Sequence, residues 1–95
     1  MPGYKGMQIM TEREFLQIEA DIFGLLSKYS GLKVDSDMIS SNIVGDLGLD
    51  SFSVVELLYE LEIKHGLTVP NEDLRKIVTI SDLLNVAKRL LAIKT

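Results

Sequence analysis

Three stretches of this chain repeat their apolar residues every three or four positions, and no stretch alternates apolar with polar residues as a strand would. That pattern commits the chain to an all-α fold. Phe15, Ile18, Ile22, Leu25, Leu26 and Tyr29 line one side of a first helix, opened by a capping box of Thr11 and Glu14 and stopped at Gly31. A second helix runs from about Ser51 to His65 and ends at Gly66. Thr79 and Asp82 start the last one. Its Leu83, Leu84, Val86, Ala87, Leu90 and Leu91 form a wide apolar stripe, while Lys88, Arg89 and Lys94 suit the negative end of its dipole. Between these two, Pro70 opens a short helical segment through Leu74 and Ile77. The expected architecture is a four-helix bundle with three long helices and one short one.

The connection from Lys33 to Asp50 is polar, yet Val34, Met38, Ile39, Ile43 and Leu47 interrupt it. These anchors predict a long loop pinned to the core, with a helical turn around Asp37 to Ile39. Residues 1–10, with Pro2, Gly3 and Gly6, read as a flexible tail ahead of a single domain over 11–95. Gly24 lies inside the first helix, where it marks either a close helix crossing or a weaker turn.

Ninety-five residues with a mean hydropathy of +0.20 suffice for one core. No apolar run is long enough to span a membrane and no secretion signal opens the chain, so a cytoplasmic, monomeric protein is expected. The absence of cysteine excludes a disulfide framework, a thiolate nucleophile and a Cys-ligated metal, and one histidine, His65, cannot form a cluster. From Asp35 to Asp73 there are nine acids and one base, against five acids and nine bases elsewhere. An acidic middle repels phosphate backbones, so basic protein surfaces are expected as partners and nucleic acid is not. Asp35, Asp37, Asp46 and Asp50 lack the alternating loop of an EF-hand, and no metal site is expected.

The informative segment is Asp46-Leu47-Gly48-Leu49-Asp50-Ser51-Phe52, which delivers a serine from a glycine-containing turn to the first turn of a helix. The first N–H groups of a helix lack internal acceptors and carry partial positive charge, a favourable field for a phosphate ester on Ser51. Taken alone, the serine is also an ordinary capping residue, as is Ser53 with Glu56. A nucleophilic serine is excluded: the single imidazole in the chain lies about four turns further along the same helix.

Asp46 through Ser51, followed by Val55-Glu56-Leu57, Leu61-Glu62 and Val69-Pro70, resembles the acyl carrier protein family in order and spacing. The resemblance extends over most of Thr11 to Leu91. It implies an acyl-carrier type of four-helix bundle, with a 4'-phosphopantetheine arm from coenzyme A placed on Ser51 beside Asp50 by a phosphopantetheinyl transferase. Acyl groups would ride on the arm as thioesters, in fatty acid, polyketide or specialised lipid synthesis, and the working thiol would come from the arm. No catalytic residues are implied.

On the second helix Ser53, Glu56, Glu60 and Lys64 form one polar stripe. Val54, Leu57, Leu58 and Leu61 suffice for the core, which leaves Phe52, Val55, Tyr59 and Ile63 as a surplus apolar row. That row belongs either to a helix buried on most sides or to a docking patch. Family members commonly dock basic patches of acyl-transferring, ligase or synthase enzymes through this helix. The matching carboxylates are Asp50, Glu56 and Glu62, with Glu60 in addition. Ser53, Ile63 and Lys64 replace acids common in fatty acid synthesis, which points to a dedicated pathway, and Phe52 and Tyr59 narrow any cleft for an acyl chain. Two other readings remain open: an aminoacyl or D-alanyl carrier loaded by an adenylating ligase, and an unmodified helical interaction subunit.

Overall fold

A computed structural model describes residues 12–94, which form four helices: α1 (Glu12–Ser30), α2 (Ser51–His65), α3 (Asn71–Leu74) and α4 (Ile80–Lys94). The tail expected over 1–10 and the Thr11 cap lie outside the described residues. Among those residues there is no strand, only an isolated antiparallel bridge between Asn42 and Thr79. No helix is long and apolar enough to cross a membrane.

α1 packs against both α2 and α4. Its four-residue repeat Ile18, Ile22, Leu26 is fully buried against Leu57, Leu58 and Leu61 of α2 and Ile80, Leu83, Leu84, Ala87 and Leu91 of α4. Helix ends follow local chemistry. Gly31 and Gly66 take the left-handed conformation after α1 and α2, at φ 76° and 66°. Thr79 Oγ1 accepts from the Asp82 N–H while the Asp82 carboxylate accepts from the Thr79 N–H, at 3.1 and 2.9 Å, the reciprocal box expected at the start of α4. Buried Asp73 of α3 pairs with Arg89 of α4 at 2.5 Å and fastens the short helix to the long one.

The long connection is pinned as expected through Val34, Ile43 and Leu47, with Leu49 buried as well. Three details differ. The helical turn spans Ser36–Met38, one residue earlier, because the Asp35 side chain accepts from the Asp37 N–H and starts it. Ile39 is no anchor: the residue is 39% exposed, and its carbonyl makes the attachment by accepting from the Ser81 N–H at 2.8 Å. α3 ends at Leu74, and residues up to Ile77 continue only as turns, in which the Lys76 and Ile77 N–H groups donate to Asp73 and Leu74 carbonyls. Gly24 marks no close crossing, since a Cβ built on it meets nothing within 4 Å.

Candidate functional site

The segment that presents Ser51 is closed by backbone hydrogen bonds. The Asn42 carbonyl accepts from the N–H groups of Asp46 and Leu47, Val44 accepts from Gly48, and Ile43 accepts from Leu49. The Asp46 carboxylate closes the same turn by accepting from the Asn42 N–H at 2.8 Å. Gly48 sits at φ 77°, where a side chain is disfavoured, and this lets Leu47 and Leu49 on either side both enter the core. The turn is tied across the molecule as well: the Ile43 N–H donates to the Val78 carbonyl at 2.9 Å, and the Ile80 N–H donates to Ser41 at 3.1 Å. Its exit into α2 is therefore held from two sides.

Asp50 is the N-cap of α2, with extended backbone and its carboxylate accepting from the Ser53 N–H at 2.8 Å. That hydrogen bond holds the Asp50 carboxyl below the ordinary aspartate range. The cap thus pairs Asp50 with Ser53, and the alternative box of Ser53 with Glu56 is not formed. Ser51 is the first helical residue and is exposed. Among the described residues no protein acceptor serves the N–H of Ser51 or Phe52. An exposed hydroxyl beside two unused donors at the positive end of a fifteen-residue helix fits a phosphodiester. A phosphopantetheine attached there would supply the thiol that this cysteine-free chain lacks.

The two faces of α2 are distinct. Leu57, Leu58 and Leu61 are buried, while Phe52, Val55, Tyr59 and Ile63 are 57–69% exposed. The surplus row therefore faces outward rather than into a second buried face. The carboxylates around it differ in what they touch. Glu60 accepts from the Tyr29 hydroxyl and pairs with Lys28 at 3.0 Å. The Tyr29 hydrogen bond comes first among the causes that lower the Glu60 carboxyl, and the same contact pushes the Tyr29 phenol up to about 12. Glu62 turns toward the α2–α3 connection and accepts from the Val69 N–H at 2.6 Å. Of Asp50, Glu56, Glu60 and Glu62, only Glu56 has no hydrogen-bond or ion-pair partner among the described residues. Between α2 and α3 lies a cleft of about 100 Å³, lined by Val55, Leu58, Tyr59, Glu62, Val69 and Leu74.

His65 is half-buried at the C-terminal end of α2 and bonds Asp21 of α1 at 2.7 Å; Lys64 also reaches Asp21, at 3.2 Å. Burial acts to raise the Asp21 carboxyl, but the hydrogen bonds from His65 and Lys64 outweigh it and leave it lowered. The sequence signal for Asp21 was its place beside Ile22 and three residues after Ile18, at the edge of the buried stripe. The acids of the long loop act as caps: Asp35 and Asp46 each accept from a backbone N–H. Among the described residues no three potential ligands gather to hold a metal ion.

Comparison with known proteins places these features in context. The family model for the phosphopantetheine attachment site matches residues 14–87. The acyl carrier protein of Rickettsia bellii is 34% identical over 71 residues, covering 75% of this chain and 83% of the relative. That of Campylobacter lari is 43% identical over 61 residues, covering 62% and 79%. The acyl carrier protein of Rhodococcus erythropolis is 30% identical over 74 residues, covering 78% and 81%.

Proposed function

This chain belongs to the acyl carrier protein family, and from that premise we propose that Ser51 carries the phosphopantetheine arm and that the chain serves as a carrier rather than a catalyst. The observation that carries the assignment is the delivery of Ser51, exposed and first in α2, by a turn whose backbone is tied at both ends. Asp50 positions it by capping the helix that follows, and Gly48 supplies the conformation the turn requires. The arrangement offers presentation and no general base: His65 lies at the opposite end of α2 and is bound to Asp21.

The partners are a phosphopantetheinyl transferase, which loads the arm, and the enzymes that place acyl groups on it or remove them, in fatty acid, polyketide or specialised lipid synthesis. Raised effective concentration at the docked enzyme is the physical benefit of such a carrier. A restricted cargo is supported by the small cleft of about 100 Å³ beside Tyr59. Lys64 and Ile63, both exposed on α2, support service in a dedicated pathway.

Trypsin cuts after Lys33 and Lys64, so one peptide spanning 34–64 contains Ser36, Ser40, Ser41, Ser51 and Ser53. After incubation with coenzyme A and a broad-specificity transferase, fragmentation of that peptide should place the whole added mass on Ser51. An arm found on any of the other serines would refute the assignment.

A further inference from the structure

The backbone bonds that tie the Ser51 turn to the far side of the molecule converge on one side chain, Asp82 of α4. The reciprocal box that starts α4 needs a single bond to that carboxylate, the one from the Thr79 N–H at 2.9 Å. The same Asp82 oxygen also accepts from the Val78 N–H at 3.0 Å, one residue outside the cap. Val78 is 53% exposed, so packing does little to fix it and hydrogen bonds must. From there the backbone leads back to the site. The Val78 carbonyl accepts from the Ile43 N–H at 2.9 Å, the Ile43 carbonyl accepts from the Leu49 N–H at 3.3 Å, and Leu49 stands two residues before Ser51. Thr79 bridges to Asn42, whose carbonyl accepts from the N–H groups of Asp46 and Leu47. The two residues that Asp82 holds are thus the two that hold the turn. Their N–H groups, Thr79 first and Val78 second, keep the Asp82 carboxyl below the ordinary aspartate range, so at neutral pH it is an ionised, purely accepting group.

Resting on the carrier reading, we propose that Asp82 is a positioning residue for the loading of Ser51: by fixing the backbone of Val78 and Thr79 it sets where the turn delivers the serine hydroxyl. In the loading step the Ser51 Oγ bonds to the phosphorus that bears the pantetheine, the anhydride bond of coenzyme A breaks, adenosine bisphosphate leaves, and the serine proton passes to a base of the transferase. A nucleophile displaced by about 1 Å can lose up to about a hundredfold in such a step. Asp82 touches none of the reacting atoms and acts only through Val78, Thr79 and the loop bonds they accept or bridge.

The test measures kcat and KM for transfer of phosphopantetheine from coenzyme A to the full chain by a broad-specificity transferase. Asp82→Ala should lower kcat about tenfold with KM within about twofold, since α2 itself is unchanged. Asp82→Glu, the usual third residue of a capping box, should restore kcat to within about threefold of wild type. Thr79→Ala is the control for lost stability: it removes the hydroxyl that caps the Asp82 N–H and leaves both carboxylate bonds, so its urea midpoint should fall while kcat stays within about twofold. Amide exchange supplies a readout of the loop. In Asp82→Ala the Ile43 and Leu49 amides should exchange about tenfold faster relative to that of Leu26 in α1. Asp82→Asn, which keeps an acceptor oxygen, covers the case in which the alanine variant does not fold, and should lose about threefold in kcat. Wild-type kcat in Asp82→Ala, or in Asp82→Asn where alanine does not fold, overturns the proposal. So does an equal loss in Thr79→Ala, or faster exchange that Leu26 shares in full. Each of these leaves the carrier reading intact, whereas no transfer to wild type overturns both.

Discussion

Replacing Gly24 by alanine should stabilise this protein, by an amount the structure allows to be worked out. Gly24 lies within α1, is exposed, and has no positive φ that a side chain would resist. A Cβ at this position finds no neighbour within 4 Å, so the substitution adds neither a clash nor a contact. What changes is the unfolded chain, which loses the extra freedom of glycine, and the helix gains about 0.5–1 kcal/mol in consequence. For a domain of this size that is a rise of about 2–8 °C in Tm, since about 1 kcal/mol corresponds to roughly 4–8 °C. Thermal unfolding followed by far-UV circular dichroism, with urea unfolding in parallel, measures it. Transfer of phosphopantetheine should proceed at the wild-type rate, because α1 takes no part in presenting Ser51. A Tm that stays level or falls would refute the reasoning, for it would mean that the chain brings something against Gly24 that the packing of α1 does not show.

Leu57, 1% exposed at the centre of the bundle, should cost about 2–5 kcal/mol when truncated to alanine, seen as a lower urea midpoint at unchanged slope. Asp21 gives a pH dependence. Its carboxyl is lowered in the folded chain, so its contribution is fully present above the unfolded value, about 3.9, and is lost as the pH falls through the folded one. The stability gap between wild type and Asp21→Asn should therefore be widest above about pH 5 and should shrink below about pH 4; a gap that grows toward acid would contradict the ion-pair account. The phenol of Tyr29, held up to about 12 by Glu60, should titrate closer to the ordinary tyrosine value of about 10 in Glu60→Gln, as read by ultraviolet absorbance.

The long helices were legible because their ends are written locally. Asp50 ahead of Ser51 and Gly66 after His65 are cap chemistry within one turn of the boundary, and the structure places both where that chemistry requires. The pinning of the long loop was only half legible. Its apolar anchors have side-chain signatures, but its attachment to the α3–α4 connection runs from backbone to backbone, Ile43 to Val78 and Ile80 to Ser41, and such bonds leave no mark on residue type. Ile39 is the cost of that blindness: an apolar residue read as an anchor, where the carbonyl alone engages. Asp21 and His65 are 44 positions apart, so no local window joins them.

On α2 the periodicity disclosed a surplus apolar row but not its outward direction, which follows from α1 and α4 covering only one side. Which carboxylates stay available was not legible from α2 at all. It depends on Lys28 and Tyr29 of α1 and on the Val69 N–H beyond the helix end.

The most direct test of the central claim is the intact mass of wild type and Ser51→Ala after incubation with coenzyme A and a broad-specificity phosphopantetheinyl transferase. A carrier with its arm on Ser51 gains one phosphopantetheine as wild type and nothing as the alanine variant. No gain in either, or an equal gain in both, would contradict the account.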